Sequence, residues 1–413
     1  MSKNFFQVNR ERLGEKIEDK SMVVLFSGVA PKKSADEYYD FTTNRNFYYL
    51  CGIKEPEIML ILVKEGQAIK STLFIKEANP VLEKWVGKTI SKEEATSISQ
   101  IDDIKYVDAF ENVLHQMFVS NKINHLYLNL EIEGFKAPLT KEQIFANECT
   151  SRYPFISVKN VYPIIASLRM IKAPYEIEKI KEAIKVTDEG IRALMKNAQS
   201  GIMEYALEAH FDFVLKCNGI KDYAFKTIAA SGINATILHY SSNDTLIKED
   251  SLVLFDLGAQ YDYYNADITR TIPVEGKFTE RQKTLYNIVL KANEAVIEAI
   301  KPGVPFTRLN EIVKEIYFEE LQKLGMVSTM EEVGKYYYHG VSHSLGLDTH
   351  DVWDRNVELE PGMVLTVEPG LYIEEEEIGI RIEDDVLVTS SGCEVLSKDI
   401  IKTVSDIEAF MQS

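Results

Sequence analysis

The sequence predicts a two-domain protein, with an N-terminal α/β domain at residues 1–165 and a C-terminal α+β domain at residues 166–413. Three observations support this fold class. A chain of 413 residues is too long for one ordinary hydrophobic core. Before residue 165, runs of branched and aromatic residues alternate with helical stretches, as in an α/β layer. After it, the order helix, helix, two strands occurs twice, which indicates a duplicated unit with its sheets at the centre.

Hydrophobic patterning places the elements of the N-terminal half. Strands are predicted where branched and aromatic residues concentrate, at residues 22–27, 47–51, 58–63, 72–75 and 126–130. Helices are predicted between them, for example at residues 92–99 and 141–148. The two element types therefore alternate along this half.

The C-terminal half begins with a long predicted helix. Pro174 suits its first turn, where a missing N–H costs nothing. An apolar stripe with spacings of three, four and seven follows: Ile177, Ile180, Ile184, Ile191 and Leu194. Further helices are predicted at residues 205–217, 280–300 and 307–324, and strands at residues 252–257, 266–272, 363–367 and 378–389.

Composition and charge disfavour several classes of function. The chain is 45% hydrophobic and 10% aromatic, as globular proteins are. Its 46 basic and 64 acidic residues give a net charge of -18, which argues against nucleic acids and membrane surfaces as partners. The longest apolar run, residues 58–63, is far shorter than the ~20 residues of a spanning helix. The first twelve residues lack a hydrophobic signal core, so we expect a cytoplasmic protein.

The cysteines give no sign of a disulfide framework or of a thiolate zinc site. Cys51, Cys149, Cys217 and Cys393 are scattered along the chain without a CxxC spacing. We expect most of them to be small buried hydrophobic residues.

Two aspartates interrupt strands that should be apolar. Asp256 ends the apolar run at residues 252–257, and Asp267 lies near the start of the next predicted strand. If the turn between them is centred between Tyr261 and Asp262, the two carboxylates face each other at about 5 Å. Two buried like charges at that distance are unfavourable unless a cation lies between them.

Two glutamates and one histidine extend this pattern to a metal site. Glu368 follows the predicted strand 363–367, and Glu383 interrupts the strand 378–389, with Arg381 on the same face. Four carboxylates and one imidazole balance the charge of two divalent cations. Oxygen-rich ligation without thiolates favours Mn²⁺, with Co²⁺ or Zn²⁺ as alternatives. Bridged metals lower the pKa of a shared water, so the residues alone predict a dinuclear hydrolase.

Four of the seven histidines cluster in settings that favour chemistry. His239, His339, His343 and His350 each lie among Gly, Ser or Asp residues, outside any helical apolar stripe. The other three histidines, His115, His125 and His210, have no such company and are interpreted as structural or surface residues.

Six short motifs in series, together with the N-terminal half, resemble one known family. The motifs are Asn234-Ala-Thr-Ile-Leu-His-Tyr240, Phe255-Asp-Leu-Gly258, Ala266-Asp-Ile-Thr-Arg-Thr271, His339-Gly-Val-Ser-His343 with Leu-Gly-Leu-Asp348 and His350-Asp351, Thr366-Val-Glu-Pro-Gly-Leu-Tyr372, and Gly379-Ile-Arg-Ile-Glu-Asp-Asp385. In the N-terminal half, residues 34–37, 44–52 and 55–56 are also similar. The chain resembles the pita-bread metallopeptidases of family M24, and within them the aminopeptidase P group, over nearly its whole length.

The resemblance implies a role for each motif residue. By position, the metal ligands are Asp256, Asp267, His343, Glu368 and Glu383. His239, His339 and His350 match histidines that bind substrate and stabilise the oxyanion. Arg381 matches a residue beside the acidic ligands, and Tyr372 matches a residue after the Glu-Pro-Gly turn. Trp85 resembles a tryptophan that reaches a neighbouring subunit's active site, and simple packing of this side chain is the alternative. The resemblance also implies a homodimer or homotetramer.

The implied reaction is hydrolysis of the bond between an N-terminal residue and a following proline. Hydroxide held between the two metals would attack the carbonyl, and Glu368 would carry the proton to the leaving nitrogen. An Xaa-Pro dipeptidase (prolidase) is the nearest alternative because it shares fold and ligands. A methionine aminopeptidase is less favoured because it lacks a comparable N-terminal domain, and a non-catalytic pita-bread module that binds proteins is a third alternative.

One residue and one short run depart from the family pattern. Trp353 stands where relatives have glycine, and the acidic run from Glu374 to Glu377 either borders the cleft or is a solvated loop.

Motifs of other enzyme classes are not found in the sequence. Gly87-Lys88-Thr89 lacks the first glycine of a phosphate loop, so nucleotide binding is rejected there. Neither HExxH nor Gly-x-Ser-x-Gly occurs.

Overall fold

The computed structural model describes residues 4–120, 122–132, 134–354 and 357–413. The chain forms two compact units, Met1–Leu168 and Arg169–Ser413. Within the described part, no helix combines the length and the apolar content needed to cross a lipid bilayer.

The N-terminal unit contains seven helices and eight strands among its described residues. The helices are α1 (Phe5–Lys16), α2 (Arg45–Cys51), α3 (Glu83–Val86), α4 (Lys92–Ser99), α5 (Phe110–Val119), α6 (Lys141–Arg152) and α7 (Tyr162–Arg169), whose last residue begins the second unit. The strands are β1 (Ser21–Phe26), β2 (Lys32–Ser34), β3 (Glu37–Tyr38), β4 (Met59–Glu65), β5 (Ala68–Ile75), β6 (Asp103–Tyr106), β7 (His125–Leu128) and β8 (Ser157–Asn160).

A six-stranded mixed sheet forms the core of this unit, in the order β6-β5-β4-β1-β7-β8. β1 is antiparallel to β4 and parallel to β7, and all six of its residues are buried. This explains its uninterrupted apolar sequence, since both of its faces are covered. Phe110, Leu114 and Phe118 of α5 pack with alternate residues of β1, such as Met22 and Val24.

The predicted strand at residues 47–51 is wrong, because these residues form the end of helix α2. Asn44 caps the helix by accepting hydrogen bonds from the backbone N–H groups of Asn46 and Phe47. Gly52 ends it with φ +74°, a left-handed conformation in which its N–H donates to the Tyr48 carbonyl. The two caps outweigh the β preference of the aromatic residues.

The C-terminal unit contains five further helices and ten strands among its described residues. The helices are α8 (Pro174–Asn197), α9 (Glu204–Cys217), α10 (Glu280–Ala299), α11 (Phe306–Lys323) and α12 (Val404–Met411). The strands are β9 (Ile228–Ser231), β10 (Leu252–Leu257), β11 (Gln260–Tyr261), β12 (Tyr264–Asn265), β13 (Ile268–Pro273), β14 (Val364–Val367), β15 (Gly370–Ile373), β16 (Ile378–Arg381), β17 (Asp384–Val388) and β18 (Cys393–Val395).

The same arrangement occurs twice in this unit. Helices α8 and α9 precede the antiparallel sheet β13-β10-β9, and helices α10 and α11 precede the sheet β14-β17-β18. Ile180, Ile184, Ile191 and Leu194 of α8 are buried along one stripe. The predicted fold class, an α/β domain followed by a domain with two helix-helix-sheet halves, is confirmed.

The predicted hairpin register is wrong by two residues. Asp256 pairs with Thr269 rather than with Asp267. The turn is centred between Asp262 and Tyr263, whose φ values are +51° and +70°, instead of one residue earlier. Moving the centre by one residue moves the partner by two, so Asp267 still lies on the same face as Asp256, at a diagonal position.

The predicted strand at residues 378–389 is interrupted. β16 ends at Arg381 and β17 begins at Asp384, and β16 pairs with β15 whereas β17 pairs with β14. The break contains Ile382 and Glu383, and the Glu383 N–H donates to the Thr269 carbonyl at 3.0 Å. The interruption therefore brings Glu383 to the strand that follows Asp267.

We expect Asn44→Ala to lower the free energy of unfolding by about 1 kcal/mol, because two N–H groups of α2 lose their acceptor. Urea unfolding followed by circular dichroism measures this change. Asn44→Asp keeps an acceptor and serves as the control. Equal stability of the alanine and aspartate variants would contradict the capping role.

Candidate metal centre and substrate cleft

Acidic side chains from both halves of the C-terminal unit meet at one place. Asp256 lies on β10 and Asp267 immediately precedes β13, in the first half. Glu368 follows β14 and Glu383 lies between β16 and β17, in the second half. The strand ends of the two sheets therefore position the four carboxylates.

His343 joins these carboxylates from the loop before β14. Ligand atoms of Asp267, His343 and Glu383 all lie within 4.8 Å of one another. The His343 Nε2 atom is 3.3 Å from Asp267 Oδ2 and 3.7 Å from Glu368 Oε1. Thr269 Oγ1 donates to Glu383 Oε2 at 2.7 Å, which fixes one oxygen of that carboxylate.

Asp256 is held by the guanidinium group of Arg381. Arg381 donates from its NH2 group to Asp256 Oδ2 at 2.5 Å. The other oxygen, Oδ1, is buried and has no hydrogen-bond partner among the described residues. A buried carboxylate oxygen without a donor is unfavourable in the protein alone and is suited to a cation.

Burial of this many acids changes their ionisation. Desolvation raises the pKa of Glu368 to about 7 and the pKa of Asp267 to about 6, and it raises the pKa of Glu383 well above its usual value. The neighbouring carboxylates act in the same direction. For His343, burial lowers the pKa, but Asp267 and Glu368 outweigh burial and the net value is about 9. Without additional positive charge, the acids therefore resist ionisation together.

The donor set fits divalent cations on these observations. It consists of carboxylate oxygens and one imidazole nitrogen, which hard or borderline metals accept. The orphaned Asp256 oxygen and the raised carboxylate pKa values both indicate missing positive charge. A metal would supply that charge and, in return, would be bound more strongly as the acids ionise.

His339 is fixed in one neutral form by its neighbours. Its Nδ1 lies 2.8 Å from the Gly340 carbonyl, which only accepts, so Nδ1 carries the proton. Its Nε2 therefore accepts from the Tyr372 hydroxyl at 2.8 Å, and that hydroxyl accepts from Arg381 at 2.9 Å. Burial and the Arg381 charge lower the pKa of His339 to about 3. Tyr372 itself is buried, with 1% exposure, and its hydroxyl contacts both His339 and Arg381.

His239, His339, His343 and His350 line a cleft of about 810 Å³. The same cleft contains the four carboxylates. The imidazole rings of His343 and His350 lie edge to face, with centroids 4.3 Å apart. Burial lowers the pKa of His350, and the nearby His343 and His239 act in the same direction. His239 is exposed and lies on the loop that follows β9, where it also lines the cleft. Three neutral or exposed imidazoles thus surround the carboxylate cluster.

Of the two departures from the family pattern, Trp353 lies in the cleft and the acidic run at residues 374–377 is exposed. Trp353 lines the cleft and its ring packs against Phe306, with centroids 4.9 Å apart. In the acidic run, Glu375 pairs with Lys335, Glu376 with Arg281, and Glu377 with Lys248. The run is thus a solvated turn stabilised by surface ion pairs.

Trp85 belongs to the N-terminal unit, on the short helix α3. It is 83% exposed, and its neighbour Val86 is 75% exposed. Packing inside the chain therefore does not account for this tryptophan.

Several buried charged residues behind the site were not predicted from the sequence. Arg169 and Lys172 contact Asp351, Glu204 accepts hydrogen bonds around the His239 loop, and Arg270 contacts Asp384. The available signal was weak because each is a single charged residue whose burial depends on the fold rather than on its neighbours in the sequence.

Comparison with known proteins identifies the family. A model of metallopeptidase family M24 matches residues 178–390, and a model of the aminopeptidase P N-terminal domain matches residues 6–127. The Xaa-Pro aminopeptidase of Haemophilus influenzae is 34% identical over 432 residues, which cover 100% of this chain and 98% of that protein. The chain belongs to metallopeptidase family M24.

Solved structures of M24 relatives agree with this assignment. A Bacillus anthracis protein provisionally assigned as an aminopeptidase P is 54% identical, with a TM-score of 0.98 and coverage of 100% of this chain and 99% of that one. Aminopeptidase P from Escherichia coli with the inhibitor Pro-Leu is 32% identical, with a TM-score of 0.91 and coverage of 100% and 98%. The resemblance inferred from the motifs and the hydrolase class are confirmed.

We expect divalent metal to stabilise this M24 peptidase more at about pH 7.5 than at about pH 5. The folded-state pKa of Glu368, about 7, exceeds its ordinary value of 4.5, so in the metal-free protein stability falls as pH rises between these values. Metal binds the ionised acids, so the loss of stability with rising pH is removed when metal is bound. At free metal 100 times Kd, the gain is about 2.7 kcal/mol.

Thermal melting with and without Mn²⁺ at the two pH values measures the difference. Asp267→Ala, which removes one of the buried acids, is the control and should reduce the metal-induced shift at about pH 7.5. An equal shift at both pH values in the parent protein would contradict the expectation.

Proposed function

We propose that this protein is an Xaa-Pro aminopeptidase, which removes an N-terminal residue that precedes proline. The observation that carries the proposal is the convergence of Asp256, Asp267, His343, Glu368 and Glu383 in one cleft with three further histidines. Full-length similarity to proteins named Xaa-Pro aminopeptidase, at 32–34% identity, favours this activity over that of a prolidase. Prolidase activity is the alternative, since an Xaa-Pro dipeptidase of Homo sapiens is 31% identical.

The five cleft residues would hold two divalent cations, with Mn²⁺ as our first choice and Co²⁺ or Zn²⁺ as alternatives. The absence of thiolates from the donor set supports this order. When bound, such ions polarise a carbonyl group and lower the pKa of water. Catalysis is assigned to residues 166–413, which the compact unit Arg169–Ser413 supports.

Glu368 is proposed as the group that moves the proton to the leaving proline nitrogen. In the metal-free protein, desolvation raises its pKa to about 7, so this carboxyl takes up a proton more readily than an exposed glutamate does. A general acid–base group works best when its pKa lies near the working pH. Its oxygens lie 3.7 Å from His343 Nε2 and 3.8 Å from His339 Nδ1, so the carboxylate is close to both imidazole rings.

The other cleft residues are proposed to bind and orient the peptide. His239 and His350 offer ring nitrogens to the substrate carbonyl and to its developing negative charge. His339, oriented by Tyr372 and Arg381, presents a neutral ring to the same space. The free peptide amine would bind at a metal or at one of its acidic ligands, which would select for free N-termini.

The proposal also covers the oligomeric state, the cellular compartment and the arrangement of the two halves of the C-terminal unit. The exposure of Trp85 supports a homodimer or homotetramer in which this side chain meets a neighbouring subunit. Free thiols at all four cysteine positions support the reducing cytoplasm as the compartment. The repeated helix-helix-sheet order supports a pita-bread arrangement of the two halves.

We expect the Mn²⁺-loaded protein to cleave Ala-Pro-Ala and not Ala-Ala-Ala. Release of free alanine together with Pro-Ala, measured by chromatography, tests the activity, and Ala-Pro is the third substrate. Cleavage of the dipeptide alone would identify a prolidase. No cleavage of any of the three would favour a non-catalytic binding module.

We expect Glu368→Gln to lose at least about 100-fold in kcat, because a neutral amide cannot carry the proton. Circular dichroism should show a parental fold. Glu377→Gln, on the exposed turn, is the matched control and should retain parental turnover. Near-parental turnover of the Glu368 variant would refute the proton-transfer role.

A further inference from the structure

The segment from His343 to Asp351 is folded around the side chain of Lys172. Lys172 lies between α7 and α8, and its Nζ donates to Ser344 Oγ at 3.2 Å. The same Nζ lies 3.0 Å from Asp351 Oδ2. Ser344 follows His343 in the chain, and Asp351 follows His350. One ammonium group therefore contacts the residue next to each of the two imidazoles.

A second cation completes the cluster from the end of α7. Arg169 NH2 lies 2.5 Å from Asp351 Oδ1 and 2.7 Å from Asp348 Oδ2. The side chains of Lys172 and Asp351 are each 1% exposed, and that of Arg169 is 3% exposed. Burial raises the pKa of Asp351, but the two cations outweigh it and the net shift is downward, so the carboxylate is ionised.

The backbone shows how tightly this segment is closed. The Asp351 N–H donates to the Ser344 carbonyl at 2.9 Å, so a backbone hydrogen bond joins the two ends of the loop. A Cβ atom on Gly346 would lie 2.3 Å from Asp351 Oδ2 and 2.9 Å from Lys172 Cε. A side chain at position 346 would therefore displace the Lys172–Asp351 ion pair.

We propose that Lys172 is a positioning residue that sets the spacing between His343 and His350 by holding Ser344 and Asp351 together. The lysine has three N–H donors on one nitrogen, so a single group satisfies acceptors on both ends of the loop. The observed consequence is the ring contact at 4.3 Å. The inference rests on the proposed function, which makes His343 a metal ligand and His350 a substrate-binding group.

A purely stabilising cluster would have a different signature. Buried ion pairs often contribute little net stability, whereas groups that orient metal ligands affect metal affinity and turnover. The two roles separate when metal affinity and kcat are measured beside thermal stability. Lys181, on the following helix α8, offers a matched control because it pairs with Glu394 at 3.0 Å with both side chains about 40% exposed.

The test compares Lys172→Met with Lys181→Met as full-length proteins. We expect Lys172→Met to bind Mn²⁺ about tenfold or more weakly by calorimetry and to lose about 10- to 100-fold in kcat on Ala-Pro-Ala. Lys181→Met should match the parent in both. A Lys172→Met protein with a lower melting temperature but with Mn²⁺ affinity and kcat within twofold of the control would overturn the proposal.

Ser344→Ala keeps the proposal testable if Lys172→Met does not fold. This variant removes only the hydrogen bond from Lys172 and leaves the ion pair with Asp351. We expect its Mn²⁺ affinity to fall about three- to tenfold with the melting temperature near parental. A Mn²⁺ affinity equal to that of the parent would contradict the positioning role of Lys172.

Failure of the proposed function would be visible separately. If the parent cleaves none of the proline peptides but binds Mn²⁺, the peptidase assignment fails, while the affinities of the variants still decide whether Lys172 positions the site. If the parent is active and all variants bind and turn over like it, the peptidase assignment stands and the inference about Lys172 falls.

Discussion

Mutual repulsion of carboxylates buried at the meeting point of two sheets is the constraint on which this structure depends. Asp256, Asp267, Glu368 and Glu383 face one another, and Arg381 is the cation placed directly against Asp256. The raised pKa values of Asp267, Glu368 and Glu383 show how poorly the protein alone satisfies these buried acids. The same arrangement is unfavourable without metal and becomes a strong binding site with it, so the instability and the chemistry have one origin.

The surrounding protein uses its own buried polar and charged groups to hold these acids in place. Arg270 donates to the Thr269 and Glu383 carbonyls and pairs with Asp384. Asn293 of α10 donates to the carbonyls of Val367 and Ile382, the residues immediately before Glu368 and Glu383. Glu204 accepts from Ser231, Asn234, Tyr240 and Thr245 and so shapes the loop that carries His239. Polar groups behind the site thus fix the backbone from which each functional side chain extends.

Much of this arrangement could be predicted from sequence, for identifiable physical reasons. Acids within apolar strands are costly, so the sequence context of Asp256 and Asp267 by itself indicates a cation. Long helices such as α8 were predictable from their apolar stripe. The strand predicted at residues 47–51 failed because caps at Asn44 and Gly52 outweighed side-chain preference. Lys172 and Arg169 were missed because burial of a lone charge depends on segments distant in sequence, here the loop ending at Asp351.

The hairpin turn at Asp262 and Tyr263 limits how this protein can change in length. Side chains alternate between the two faces of a strand, so one inserted or deleted residue before Asp267 would replace it on the inner face with an apolar neighbour, Ala266 or Ile268. A change of two residues would restore an inward side chain, as the two-residue register difference between Thr269 and Asp267 illustrates. Viable lengths of this connection should therefore differ from one another by even numbers, a parity rule imposed by the pleat.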